Sequence, residues 1–361
     1  MKVKLKKLIN ILIIISLFLS LFMSNYFYKI PSITKDIVIL LLILLVMILE
    51  RKKIKLKIII AVFGLLAFIS YYKKVPDIFG VRYYLYPLFI FYYTINYLNK
   101  KSLILLKKYI RIYYWLICLV LLIQLGSNYE KLIILFKSFS LEQLKIFRLY
   151  SFFSLPTIAG AILVILGSYI FLEKKSLFYY INTSIFLLLT FSRGSILSYF
   201  IFSIFYILFF YKKIRYIFFV LSLILAINIF PKILEFLEKD ISFLERILII
   251  KKLYFKNIIV GNGIGYSTGR NIMSKIIFDN EYIRFLYEIG IVGITMFVII
   301  FFKLWKKSRE RFKLICLVYF GLMLTMEVIT IYPISIFLSL ILGIIFIEER
   351  NEKDIVYNRQ S

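Results

Sequence analysis

The chain has 361 residues, is 62% hydrophobic and 19% aromatic, and carries a formal net charge of +28. Soluble domains are roughly 45–50% apolar, so a soluble fold has no place to bury this much Ile, Leu and Phe, whereas a bilayer does. Nucleic-acid binding is excluded by the arrangement of the charge, because Lys and Arg fall in short clusters between apolar runs, as membrane topology signals do.

Lipid leaves helices and closed barrels as the only spanning structures. Barrel strands alternate apolar and polar residues. The runs at 37–49 and 196–210 are unbroken, so the expected fold is all-α, a polytopic transmembrane helical bundle. In chain order the apolar spans fall at 8–28, 33–49, 58–71, 83–98, 110–126, 153–172, 177–191, 195–210, 216–231, 282–302, 314–330 and 332–347. The count is about twelve, with ten as the lower bound, because short pairs such as 177–191 and 195–210 also suit a re-entrant hairpin. The stretch after the basic residues 2–7 is long for a signal peptide and lacks a small-residue cleavage site, so it reads as a retained first helix. The whole chain, 1–361, reads as a single integral membrane domain.

The loops give the bundle a direction. With the N-terminus inside, the inner segments 2–7, 51–57, 100–111, 174–175, 212–215, 303–313 and the tail hold 28 of the 47 basic residues. Most of the others lie in two long outer loops, at 126–152 and at 231–281, and long loops weigh little in this rule. Both termini are therefore expected in the cytoplasm. The larger outer loop lies between spans nine and ten.

Chemistry-bearing residues gather in the outer segments. Arg148 precedes Pro156-Thr157 and Gly160, where a membrane-interface anchor and an anion-binding arginine are both open readings. Ser192-Arg193-Gly194 forms a short turn between two apolar runs. An arginine so close to hydrocarbon usually faces the protein interior or a cavity. Arg246 is followed by Gly261, Gly263 and Gly265, which permit a tight turn or a close ligand approach. Asp279, Asn280, Glu281, Arg284 and Glu288 then enter the tenth span, leading to Gly290 and Gly293. Arg284 and Glu288 are four apart and share a helix face. Arginine suits phosphate or diphosphate through its planar fork, and a carboxylate can act as general base toward a sugar hydroxyl. There is no histidine, which removes His-based acid–base chemistry and most zinc sites. Cys118 and Cys316 lie in apolar runs and read as buried helix residues.

These segments resemble the bacterial O-antigen polymerase and O-antigen ligase superfamily, multi-span membrane glycosyltransferases. The resemblance covers roughly residues 140–305 and rests on four matches in order. They are Arg148 with Pro156-Thr157 and Gly160, then Ser192-Arg193-Gly194, then Arg246 with Gly261, Gly263 and Gly265, and finally Asp279-Asn280 followed by Gly290 and Gly293. Ligases of the family carry His-Asn where this chain has Asp279-Asn280, which favours the Wzy-type polysaccharide polymerases.

The resemblance implies a polymerase for O-antigen or capsule that transfers a growing glycan from undecaprenyl diphosphate to the next lipid-linked repeat unit. An O-antigen ligase or a repeat-unit flippase is the alternative. It implies diphosphate binding by Arg193 and Arg246, with Arg148 as a third candidate, and a role for Asp279 toward the acceptor hydroxyl; the ionisable cluster itself adds Arg284 as a diphosphate candidate and Glu281 and Glu288 as acid–base candidates. Gly261, Gly263 and Gly265 would shape the loop. No cofactor, metal or nucleotide sugar is expected. The implied setting is the inner (plasma) membrane of a bacterium with the active site on the outer face. The implied partners are the lipid-linked oligosaccharide, membrane lipid, the flippase and a chain-length regulator.

Overall fold

The structure of the protein is a computed structural model. It describes residues 80–128, 149–211, 258–265 and 280–350, apart from Asn99, Ser154, Glu327 and Thr330. It also describes the backbone of the last helix as far as Gln360 and scattered positions between Leu8 and Lys73. Among the described residues there is no strand. Eight helices are described over their whole length: α1 Val81–Tyr97, α2 Lys100–Ser127, α3 Pro156–Lys174, α4 Leu177–Thr190, α5 Arg193–Phe210, α6 Glu281–Lys307, α7 Glu310–Met323 and α8 Tyr332–Gln360. Four of them, α2, α3, α5 and α6, are long and apolar enough to cross a membrane. The protein is a membrane-embedded helical bundle. The described positions at 8–15 and 37–48 are helical too, and Ile9, Ile13, Leu42 and Val46 join its core. The expected span at 216–231 lies outside the described residues, as do most of the two expected outer loops.

The central element is α3, which packs against α2, α4, α5, α7 and α8. Its sequence explains this position. Pro156 occupies the first turn, where its missing N–H is no loss. The residues that follow are apolar on every side, and all of them from Ala159 to Leu172 are buried. A helix without a polar face belongs in an interior.

Small residues bring the neighbours close. A methyl group added to Gly167 of α3 would lie 2.3 Å from Thr183 Oγ1 of α4, and one on Gly160 would meet Ser192 and Ser195 at 2.7 Å. Gly321 of α7 faces Ser198 of α5, and Gly343 of α8 faces Thr94 of α1. The hydroxyls do not compromise these contacts. Thr183, Ser198 and Thr94 each donate to the carbonyl four residues back in their own helix, at 2.7–2.8 Å. Thr94 turns its Cγ2 and Cβ toward Gly343, whereas Thr183 and Ser198 meet Gly167 and Gly321 with the hydroxyl oxygen as the nearest atom. Lipid supplies no hydrophobic force between helices, so such close packing is what holds them together.

Element lengths differ from the apolar runs for local reasons. α2 begins ten residues before its expected span because Lys100, Lys101, Lys107 and Lys108 are good helix formers and continue it into a charged end. α7 stops at Met323, seven residues short of expectation, and the chain crosses in turns and bends before α8 begins. α4 has only 14 residues and joins α5 through a turn at Phe191, whose φ is 47°.

The helix ends gather at two distinct ends of the bundle. At one, the starts of α3, α5 and α6 meet the ends of α4 and α7: Gly160 lies on Ser192, Gly194 on Thr325, and Asn280 on Leu324. At the other, Lys107 of α2 bridges Glu173 of α3 and Glu348 of α8.

Candidate functional site

The first of these ends holds an interrupted helix. α6 starts on Asn280, whose side-chain oxygen accepts from the N–H groups of Tyr282 and Ile283 at 3.0 and 3.2 Å. Its amide nitrogen donates to the Leu324 carbonyl at 2.9 Å, tying α6 to the end of α7. The helix then breaks at Gly290, with φ 65° and ψ −173°. In an unbroken helix the N–H groups of Ile291 and Val292 would bond the carbonyls of Tyr287 and Glu288. Here the turn at 258–265 takes over all four groups. Ile291 and Val292 donate to the carbonyls of Ile258 and Ile259 at 3.0 and 3.1 Å, while Asn262 and Gly263 donate to those of Tyr287 and Glu288 at 2.8 and 3.0 Å. Irregular backbone at membrane depth survives only when its polar groups are satisfied by protein in this way.

Glycine is required on both sides of this exchange. Gly261 has φ 76°, and a methyl group there would sit 2.4 Å from the Glu288 carbonyl oxygen. One on Gly290 would sit 2.4 Å from Gly261 N and the Ile259 carbonyl oxygen. Two glycine positions that are remote in sequence thus form one backbone junction. Ser70 and Lys73 brace its other side. Ser70 Oγ accepts from Ile264 N at 3.1 Å, and Lys73 donates to the Gly261 carbonyl.

Beneath the junction lies a buried charge network. Arg284 and Glu281 are 0% exposed and Glu288 is 1% exposed. Arg284 Nε reaches Glu288 Oε2 at 3.3 Å, and Nη1 lies 3.7 Å from Glu281 Oε1. Tyr84 of α1 links the pair further: its hydroxyl accepts from Arg284 Nη2 and donates to Glu288 Oε2, each at 2.7 Å. The guanidinium also lies 5.3 Å from the Tyr84 ring centroid. Glu288 Oε1 accepts from Gly265 N at 3.2 Å, which couples the network to the glycine turn. Glu281 Oε2 accepts from the N–H groups of Val328 and Ile329, pinning the crossing between α7 and α8.

The expected site residues are thereby sorted. Glu281, Arg284 and Glu288 come together, but as an enclosed network that positions the helix start and the glycine turn. Arg284 is committed to internal partners and lies away from solvent. Arg193 is exposed at the first residue of α5, at the same end of the bundle as Asn280. Beside it, Ser192 and Ser195 share a hydroxyl–hydroxyl bond of 2.8 Å. Gly261, Gly263 and Gly265 all have positive φ and form the turn. Arg148, Arg246 and Asp279 lie outside the described residues. Sequence reading missed Tyr84, Ser70 and Lys73, since a tyrosine in a tyrosine-rich run carries no distinguishing signal. It also missed Tyr319 of α7, which is buried within electrostatic reach of Glu281 and Tyr84.

Comparison with known protein families, with curated proteins and with solved structures gave no match to this chain.

Proposed function

We propose that the protein is a membrane glycosyltransferase, a polymerase that joins lipid-linked oligosaccharide repeat units of O-antigen or capsule. One observation supports this reading above the others. Segments far apart in the chain meet at a single end of the bundle: the Pro156–Gly160 helix start, Ser192-Arg193-Gly194, the glycine turn, and Asn280 with its charged helix. These are the described parts of the four matches that carry the family resemblance.

In this reading Arg193 contacts the donor diphosphate, together with Arg148 and Arg246. A hydroxyl of the acceptor repeat unit attacks the anomeric carbon of the growing glycan. The bond from that carbon to the diphosphate oxygen breaks, and undecaprenyl diphosphate leaves. The hydroxyl proton passes to a carboxylate, for which Asp279 next to the α6 start is the candidate. Glu281, Arg284 and Glu288 act as positioning residues, holding Asn280 and the glycine turn in register. The energy resides in the lipid-linked diphosphate, so the reaction calls for no metal and no nucleotide sugar. About twelve spans, cytoplasmic termini and an outward-facing site in a bacterial plasma membrane complete the reading.

A flippase is the second reading, and the broken helix beside buried charges favours it, because transporters place substrate sites at such breaks. A deletion strain separates the two. Loss of a polymerase leaves surface glycan with a single repeat unit. Loss of a flippase traps single units inside the cell, and loss of a ligase leaves long polymer on its lipid. Either of the last two phenotypes contradicts the polymerase.

A further inference from the structure

At the end of the bundle away from Asn280, a cavity of about 120 Å³ opens where α3, α5, α7 and α8 meet. A single water needs roughly 10–15 Å³ by this measure, so the cavity has room for a phosphate group. Lys175, Arg309 and Arg311 supply cationic walls, and Tyr206 and Phe210 of α5 form an apolar edge. Two carboxylates reach the same space. Glu349 is committed elsewhere, accepting from the N–H groups of Arg309 at 2.6 Å and Phe312 at 3.1 Å. It therefore caps the start of α7 from the neighbouring helix. Glu310 is exposed. The three cations outnumber the two acids.

The cavity also has a definite depth. It lies where α5 ends, with Phe210 and Tyr211 40% and 50% exposed, and near the end of α6, whose last turn carries Lys306 and Lys307. Aromatic and basic residues at the ends of apolar helices mark the headgroup level of a membrane. Basic pockets between helices at that level suit lipid phosphates.

We propose that this cavity binds the phosphodiester of an anionic phospholipid. Lys175, Arg309 and Arg311 hold the phosphate, and the first part of an acyl chain runs along Tyr206 and Phe210. The site is independent of the glycosyltransferase reading and lies at the opposite end of the molecule. It would fasten α3, α5 and α7 together through a lipid.

Native mass spectrometry of the intact, detergent-solubilised chain tests this, with phosphatidylglycerol and phosphatidylcholine added in parallel. Wild-type protein should retain phosphatidylglycerol preferentially, and added inorganic phosphate should not displace it. The double variant Arg309→Gln/Arg311→Gln should bind phosphatidylglycerol about thirtyfold more weakly, at about 1 kcal/mol for each of the two cations removed. Lys175→Asn provides a second reading if the double variant fails to fold, since asparagine tolerates the left-handed φ of 51° found there. Equal retention of the two lipids would overturn the proposal, as would unchanged phosphatidylglycerol binding in the folded variants. Displacement by inorganic phosphate would overturn it as well, by making the cavity a site for a free anion.

Discussion

Arg284 shows how much one buried side chain can organise. It holds two carboxylates and a tyrosine hydroxyl, and through them the glycine turn and the crossing between α7 and α8. Removing one member of a buried ion network leaves the others uncompensated, at a cost of about 3–5 kcal/mol. Arg284→Ala should therefore lower thermal stability in detergent severely. Tyr84→Phe, which removes only the bridging hydroxyl, should cost about 1–3 kcal/mol. Equal stability of Arg284→Ala and wild type would show that the network carries no structural weight. Glycines give a sharper contrast. Gly290→Ala meets both a positive φ and backbone atoms at 2.4 Å, so it should cost upward of about 1–3 kcal/mol. Gly126→Ala, on α2 with open space around it, should stay within about 0.5 kcal/mol of wild type.

Among elements, the close glycine–hydroxyl contacts predict compensation between helices. Gly343→Ala pushes α8 against Thr94 of α1 and should cost about 1–3 kcal/mol by overpacking. Thr94→Gly should restore part of that loss, because Thr94 donates only within its own helix and no bond between helices is lost with it. A double-mutant cycle on thermal stability measures this, and strict additivity would refute the contact. The existence of α1 to α8 was legible in the sequence, since unbroken apolar runs leave a helix little choice. Their ends were less so. The start of α2 depends on lysines that extend a helix beyond its apolar run. The end of α7 depends on Glu281, which captures the Val328 and Ile329 N–H groups from another element. The break at Gly290 was marked only by a glycine. Its cause is the turn at 258–265, and no local pattern in α6 names that partner.

For the whole molecule, the sequence placed the motif segments on one face, and their described parts meet at one end of the bundle. The enclosure of Arg284 was not legible, because an arginine entering an apolar run reads the same whether it faces a ligand or two buried acids. Direction across the membrane is testable by labelling. A cysteine replacing exposed Arg193 in a chain lacking Cys118 and Cys316, both buried, should react with an impermeant thiol reagent added outside intact cells. A cysteine replacing Lys307 should not; the reverse pattern would invert the topology.

The proposed activity is tested most directly with purified protein in liposomes and repeat units linked to undecaprenyl diphosphate as the sole substrate. The expected result is polymer of several units together with released undecaprenyl diphosphate, without added metal or nucleotide, and near-complete loss of polymer in Arg193→Ala of normal stability. Substrate carried across the bilayer without any growth in chain length, or full-length polymer from Arg193→Ala, would contradict it.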